Sequence, residues 1–271
     1  MTIAISINVN DGVVLASDSA SSLVVSDDDG NTSVQNIYNN ADKIYNLYKG
    51  LPIGAMTWGA GSIGTASIAT LAKDFRKALM QDDGFDKDQY TVEDAALRFK
   101  QFFYDERYVA AYQAWTSKPS TGFLIAGYSS GSQLAETWKL EIDVNGDCIG
   151  PYIINYSITW DGQPDAIQRL LLGFDSRLEQ VLRGNGLDDT AVDQIMNTCM
   201  QIFPVQVAVN PMPIQDAIDL ARFLVEATIN FSRFTPGAPT VGGPVEIAAI
   251  TKHENFKWVQ RKHYFSEKFN P

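Results

Sequence analysis

Two apolar runs joined by a tight turn open the chain. Ile3, Ile5, Ile7 and Val9 alternate with small or polar residues, the period-2 pattern of a strand with one buried face. Asn10-Asp11-Gly12 is a turn signal, and Val13-Val14-Leu15-Ala16 is a short apolar run that returns as the partner strand. An antiparallel hairpin brings its open ends together, so Thr2 at the start of one strand lies near Asp18 at the end of the other. An edge hairpin with two ordinary polar ends satisfies that pattern. Thr2 offers a second reading, because it follows Met1 directly.

A small side chain at the second position lets a methionine aminopeptidase remove Met1. The chain would then begin with a threonine carrying a hydroxyl and a free α-amino group. That pairing is a self-contained nucleophile and base, since the amine takes the hydroxyl proton as the oxygen attacks a carbonyl. An α-amino group titrates near pH ~8, so a modest downward shift leaves much of it as free base at neutral pH. A nearby cation supplies such a shift, and a carboxylate holds that cation in place.

The candidate cation is Lys43. Ala41-Asp42-Lys43-Ile44-Tyr45-Asn46-Leu47 reads as a third strand, closed by the turn Tyr48-Lys49-Gly50. Leu51 to Trp58 reads as a fourth strand running into Gly59-Ala60-Gly61-Ser62. Strand alternation gives Lys43 and Tyr45 one face, which points Lys43 at the hairpin ends where strands one and three are neighbours. A surface lysine at a strand start is the plainer alternative.

These segments together carry a resemblance. A start Thr, then Asp-Gly-Val-Val-Leu-Ala-Ser-Asp, Asp-Lys-Ile-Tyr-Asn-Leu and Met-Thr-Trp-Gly-Ala-Gly resemble a proteasome β-type subunit of the bacterial proteasome-like kind, within the N-terminal-nucleophile hydrolases. The resemblance implies Thr2 as nucleophile, Asp18 as the supporting carboxylate, Lys43 as the catalytic lysine and Gly59 as the oxyanion donor through its backbone N–H. It also implies a four-layer αββα sandwich of two mainly antiparallel sheets. A homo-oligomeric ring and a peptide or amide substrate come with it. The connection over residues 19–40 is longer than in that family, which bears on the register of Lys43.

Composition sets the outer bounds. The 271 residues are 45% hydrophobic, enough to fill a sizeable core. A net charge of −11 argues against a general nucleic-acid or anionic-membrane surface. Cys148 and Cys199 are isolated, without metal-like spacing, and suit a reducing cytoplasm. No apolar run has membrane-spanning length, and no basic or apolar leader precedes Thr2, so a cytoplasmic protein needing only loss of Met1 is expected.

Two motifs suggest other chemistry and are set aside. Asp27-Asp28-Asp29-Gly30-Asn31 lacks the glycine and glutamate that an EF-hand needs further along, where Thr32 and Tyr38 stand, so a solvated loop is expected. Gly59-Ala60-Gly61-Ser62-Ile63-Gly64 matches the dinucleotide fingerprint G-x-G-x-x-G. A helix from Ser62 to Met80, a polar Asp-rich stretch and a second helix from about Thr91 to Ala114 come next in the chain. Two consecutive helices are not a βαβ unit, so no cofactor is expected and the glycines serve close backbone approach.

The remainder reads as a strand block over Thr121–Ile154, with Ser130-Gly131 and Asn145-Gly146 as hairpin turns. A helix carrying Ala166, Ile167, Leu170, Leu171, Phe174, Leu178 and Leu182 comes after it, stopping at Arg183-Gly184-Asn185-Gly186. Further helices are expected over Asp189–Ile202 and after Pro213, and then strands over Val245–Thr251 and Phe256–Gln260. Pattern alone gives α+β with one domain over residues 1–271. His253 and His263 form no triad and read as surface residues. Where the resembled family has a Ser-Gly turn beside its nucleophile, this chain has Asp161-Gly162; Asp161 either sits near the Thr2 amine or caps the following helix. The family's Asp and Ser before Gly242-Gly243 are replaced by Ala238, Thr240 and Val241, which bears on activity rather than fold. The expected function is a threonine-type peptidase or amidohydrolase; the alternative is a catalytically silent ring scaffold or binding protein. Ring size and any ATPase or other regulator lie beyond the residues.

Overall fold

The structure, a computed structural model, describes residues 2–26 and 32–262. Met1, the Asp27–Asn31 motif and His263 therefore lie outside the described residues. The chain opens with the hairpin β1 (Ile3–Val9) and β2 (Gly12–Ser17), followed by β3 (Ser21–Ser26), β4 (Thr32–Tyr38), β5 (Ile44–Asn46) and β6 (Ile53–Gly59). Two short strands, β7 (Ser62–Ile63) and β8 (Ala66–Ser67), lead into α1 (Ile68–Gln81) and α2 (Val92–Lys100). A π-helical stretch, Gln101–Tyr108, continues α2 into α3 (Val109–Tyr112). Next come β9 (Thr121–Gly127), β10 (Glu136–Ile142), β11 (Cys148–Ile153) and β12 (Ile158–Gly162). Helices α4 (Asp165–Leu172), α5 (Arg177–Gly184), α6 (Asp189–Ile202) and α7 (Ile214–Phe234) precede the closing hairpin β13 (Glu246–Thr251) and β14 (Asn255–Gln260).

Two five-stranded antiparallel sheets form the centre, ordered β12-β1-β2-β13-β14 and β11-β10-β9-β6-β5. Three apolar layers hold them. Ala4, Val13, Leu15, Met56, Leu124 and Ala248 pack between the sheets. Ile3, Ile5, Ile7, Val14 and Ile247 face α4 and α7 on one outer side. Phe99, Phe103, Phe123 and Ile125 join α1 and α2 to the second sheet on the other. This is the αββα sandwich that the resemblance implies.

The opening hairpin differs from its expectation in one respect. Both faces of β1 are covered, because α7 lies on one and the second sheet on the other. Ala4 and Ser6, the small residues of the alternation, fit the narrow space between sheets, while Ile3, Ile5 and Ile7 fill the helix side. The hairpin is accordingly central and not an edge: β12 flanks β1 and β13 flanks β2.

Other boundaries move for local reasons. Residues 19–40 hold the β3–β4 hairpin, whose Leu23, Val24 and Val25 are exposed and leave no core-facing periodicity to read. The first helix begins at Ile68, because the Ser67 side chain caps it by accepting from the Thr70 N–H. Gly173 adopts a left-handed φ of 79° and splits the helix expected over 166–182 into α4 and α5. Residues 158–162, which lie past the strand block expected over Thr121–Ile154, form β12, with Ile158 and Trp160 facing the α7 side. His253 is exposed.

Candidate active site

Asp18 is the fixed point of the site. It lies just past β2, fully buried, and its carboxylate accepts four donors. Oδ1 receives the Ile3 N–H at 3.0 Å and Lys43 Nζ at 2.6 Å. Oδ2 receives the Ala20 N–H at 3.1 Å and the Gly242 N–H at 3.0 Å. Three backbone amides and one ammonium thus saturate a buried anion, the condition under which burying it is tolerable. The Gly-Gly before the last hairpin takes part directly: Gly242 donates its N–H to Asp18 and accepts the Ser19 N–H through its carbonyl at 2.9 Å.

Lys43 reaches Asp18 by a route other than the expected one. Strand β5 belongs to the second sheet, so Lys43 does not lie on a strand beside β1. It sits immediately before β5, its carbonyl accepting the Thr57 N–H at 2.9 Å, and crosses from one sheet to the other. The surface-lysine alternative does not hold, since Lys43 is buried. Burial pushes its ammonium below the ordinary lysine range, while the Asp18 carboxylate opposes that shift.

Thr2 is only 4% exposed and stands at the head of β1. Its carbonyl accepts the Gln163 N–H at 2.8 Å, and Gln163 Oε1 in turn accepts the Thr240 hydroxyl at 3.0 Å. A Cβ at Gly162, whose φ is +95°, would lie 2.0 Å from the Thr2 carbonyl oxygen, so glycine is needed there for the two strands to meet.

Thr2, Lys43 and Gly59 line one cleft of about 600 Å³, together with Ala20, Ser21 and Tyr45. Gly59 ends β6 with a φ of +85°, and a Cβ there would come within 2.6 Å of the Ser120 carbonyl oxygen. Gly59 thus serves close backbone approach, whereas a Cβ at Gly61 or Gly64 would meet only a side chain, at 3.6 and 3.5 Å. The four residues Thr2, Asp18, Lys43 and Gly59 converge at one end of the sandwich, Asp18 lying behind the cleft and the other three on its wall.

Asp161 is engaged by a lysine of the other sheet. It belongs to β12, opposite Ala4, and faces the space between the sheets. Its Oδ1 binds Lys139 Nζ at 2.7 Å, an ion pair from β10 across the sandwich. The helix-cap reading also fails, because the residue preceding α4 is Pro164 and no side chain caps that helix. Burial raises the Asp161 carboxyl above the ordinary range, against the pull of Lys139.

Residue patterns gave no sign of Gln163 or Lys262, both of which touch this end of the molecule, and Thr240 was marked only as standing where the resembled family has another residue. Gly242 was marked only by the Gly-Gly that the resemblance brought out. The others make contacts across long sequence separations that no local period encodes.

No family model matches the chain, and no curated protein matches it. Among solved structures it is similar to a Gly-1 mutant of Anbu from Hyphomicrobium sp. strain MC1. The TM-score is 0.52 at 16% identity, with 100% of this chain and 90% of that chain covered. The fold is proteasome-like. A likeness at 16% identity speaks for the fold alone, so the β-type assignment and any activity rest on the site residues. No helix among the described residues is long and apolar enough to cross a membrane.

Proposed function

We propose that this chain is a threonine-type N-terminal-nucleophile peptidase or amidohydrolase, acting in the cytoplasm as a homo-oligomeric ring after removal of Met1. One observation carries the reading: a buried Lys43–Asp18 pair, 2.6 Å apart, stands at a cleft that Thr2 and Gly59 also line. With Met1 gone, the Thr2 amine takes the proton of the Thr2 hydroxyl as Oγ1 attacks the substrate carbonyl. The Gly59 N–H stabilises the resulting oxyanion, and the same amine returns the proton to the departing amine. Water then hydrolyses the threonyl ester. The Lys43 ammonium, anchored by Asp18, favours the neutral form of the Thr2 amine and steadies the developing alkoxide. Asp161 has no part in this scheme, because Lys139 engages it.

A silent ring scaffold of the same fold is the second reading. Thr240 and Val241 favour it, standing where the resembled family carries residues that support its nucleophile. Turnover of a panel of fluorogenic peptide amides, with intact mass and light scattering on the same sample, separates the two. The enzyme reading expects a chain lacking Met1, a large homo-oligomer and turnover. A ring that keeps Met1 and cleaves nothing is the scaffold; a monomer at micromolar concentration contradicts both.

A further inference from the structure

Behind the cleft lies a second ammonium that the scheme above does not use. Lys262 comes just after β14, and its side chain is 7% exposed. Nζ donates to Ser19 Oγ at 3.0 Å and to the Ala41 carbonyl at 2.9 Å. It also pairs with Glu246 Oε2 at 2.8 Å and with Asp42 Oδ1 at 3.3 Å. Those acceptors are not scattered. Ser19 is the residue after Asp18, Ala41 and Asp42 are the two before Lys43, and Glu246 opens β13 and is 1% exposed. One buried ammonium therefore ties the segment that delivers Lys43 to the segment that carries Asp18.

We propose that Lys262 is a positioning residue: it clamps residues 41–42, just before Lys43, to Ser19, just after Asp18, and it sets a second positive charge behind that of Lys43. Its bearing on catalysis rests on the nucleophile reading of Thr2; its bearing on Lys43 does not. The charged groups facing Lys43 are Asp18 from the end of β2, Glu246 from β13 and Lys262 from beyond β14, with Asp42 beside it in sequence. Asp18 and Glu246 favour the Lys43 ammonium, whereas Lys262 disfavours it. Glu246 and Lys262 thus act on Lys43 with opposite signs, as a purely mechanical clamp would not.

The test is the ionisation of Lys43, monitored by lysine ¹³Cε resonances in the full-length protein and assigned by the signal lost in Lys43→Arg. Lys262→Met moves the Lys43 midpoint upward, Glu246→Gln moves it downward, and Lys262→Arg leaves it at the wild-type position. Where the wild type hydrolyses an amide, the alkaline limb of kcat moves in the same directions while KM holds. Midpoints that stay put, or that move the same way in Lys262→Met and Glu246→Gln, overturn the proposal. If Lys262→Met does not fold, Glu246→Gln decides alone, and an unchanged or raised midpoint there overturns it. Opposed midpoint shifts without any hydrolysis by the wild type would sink the nucleophile reading and leave Lys262 as the positioning residue of Lys43.

Discussion

The space between the two sheets holds two lysine–aspartate pairs that look alike on paper and differ in everything that matters for chemistry. Lys43–Asp18 is 2.6 Å long and Lys139–Asp161 is 2.7 Å. Asp18 has all its acceptor sites taken, by three backbone N–H groups and one ammonium. Asp161 Oδ2 is buried and has no hydrogen-bond partner among the described residues. Lys43 depends on Asp18 for its closest anion, and burial wins, so its proton is held less tightly than usual. Lys139 gains a second carboxylate from Glu141 at 3.1 Å and lies over the Trp58 ring; burial works against its ammonium, but Asp161 and Glu141 outweigh it and hold the group above the ordinary lysine value. The contrast teaches that the ion pair itself is not the functional signal. The backbone amides that fix the anion, and the cleft that the cation faces, distinguish a candidate catalytic pair from a strut between sheets.

Three experiments break or sharpen that contrast. The largest effect belongs to Thr2→Ala, which is expected to remove all turnover while fold and assembly persist, since a lost hydrogen-bonded hydroxyl costs at most about 1 kcal/mol. Undiminished hydrolysis by pure Thr2→Ala protein would mean that the cleft beside Lys43 is not where the reaction occurs.

Next in size is the pair of substitutions Asp18→Asn and Asp161→Asn, compared by urea unfolding. The amide nitrogen of an asparagine at 18 would face N–H donors that now have an acceptor, and Lys43 would lose its counter-charge. A cost of about 3–5 kcal/mol is expected, as for breaking a buried pair. At 161 the change leaves Lys139 its Glu141 partner, and about 1 kcal/mol is expected. Equal costs at the two positions would erase the distinction drawn between the pairs.

The smallest effect concerns pH. The scheme needs Lys43 as ammonium, and its pKa is lowered from the ordinary value of 10.5. Activity is therefore retained below the lowered pKa and lost as pH rises through it, placing the alkaline limb of kcat below the ordinary lysine range. A limb at or above that range contradicts the account of Lys43.

How much of this was legible in the residues depends on range. Thr2 and Asp18 could be brought together because a two-strand hairpin fixes its own ends; Gly59 was joined to them only by the resemblance. Lys43 was legible as a residue but not as a path: alternation assigns it a face, while nothing local says that its strand belongs to the other sheet. The engagement of Asp161 was illegible for the same reason. Its partner Lys139 lies on β10, and only the packing of two sheets makes them neighbours. The β3–β4 hairpin escaped because its apolar residues face outward, and α4 and α5 were merged because apolar spacing continues past the left-handed turn at Gly173. Lys262 carries no pattern at all; a single lysine after the last strand acquires meaning only from the four acceptors around it.

The central claim is that Thr2, once freed of Met1, is a nucleophile held ready by Lys43 and Asp18. The most direct measurement is peptide mapping by mass spectrometry after treating the protein with an electrophile that reacts with amino-terminal threonine. The account predicts one adduct, on Thr2 of a chain lacking Met1, absent in Thr2→Ala and strongly reduced in Lys43→Met. A native chain that keeps Met1, or that forms no adduct on Thr2 at saturating reagent, would contradict it.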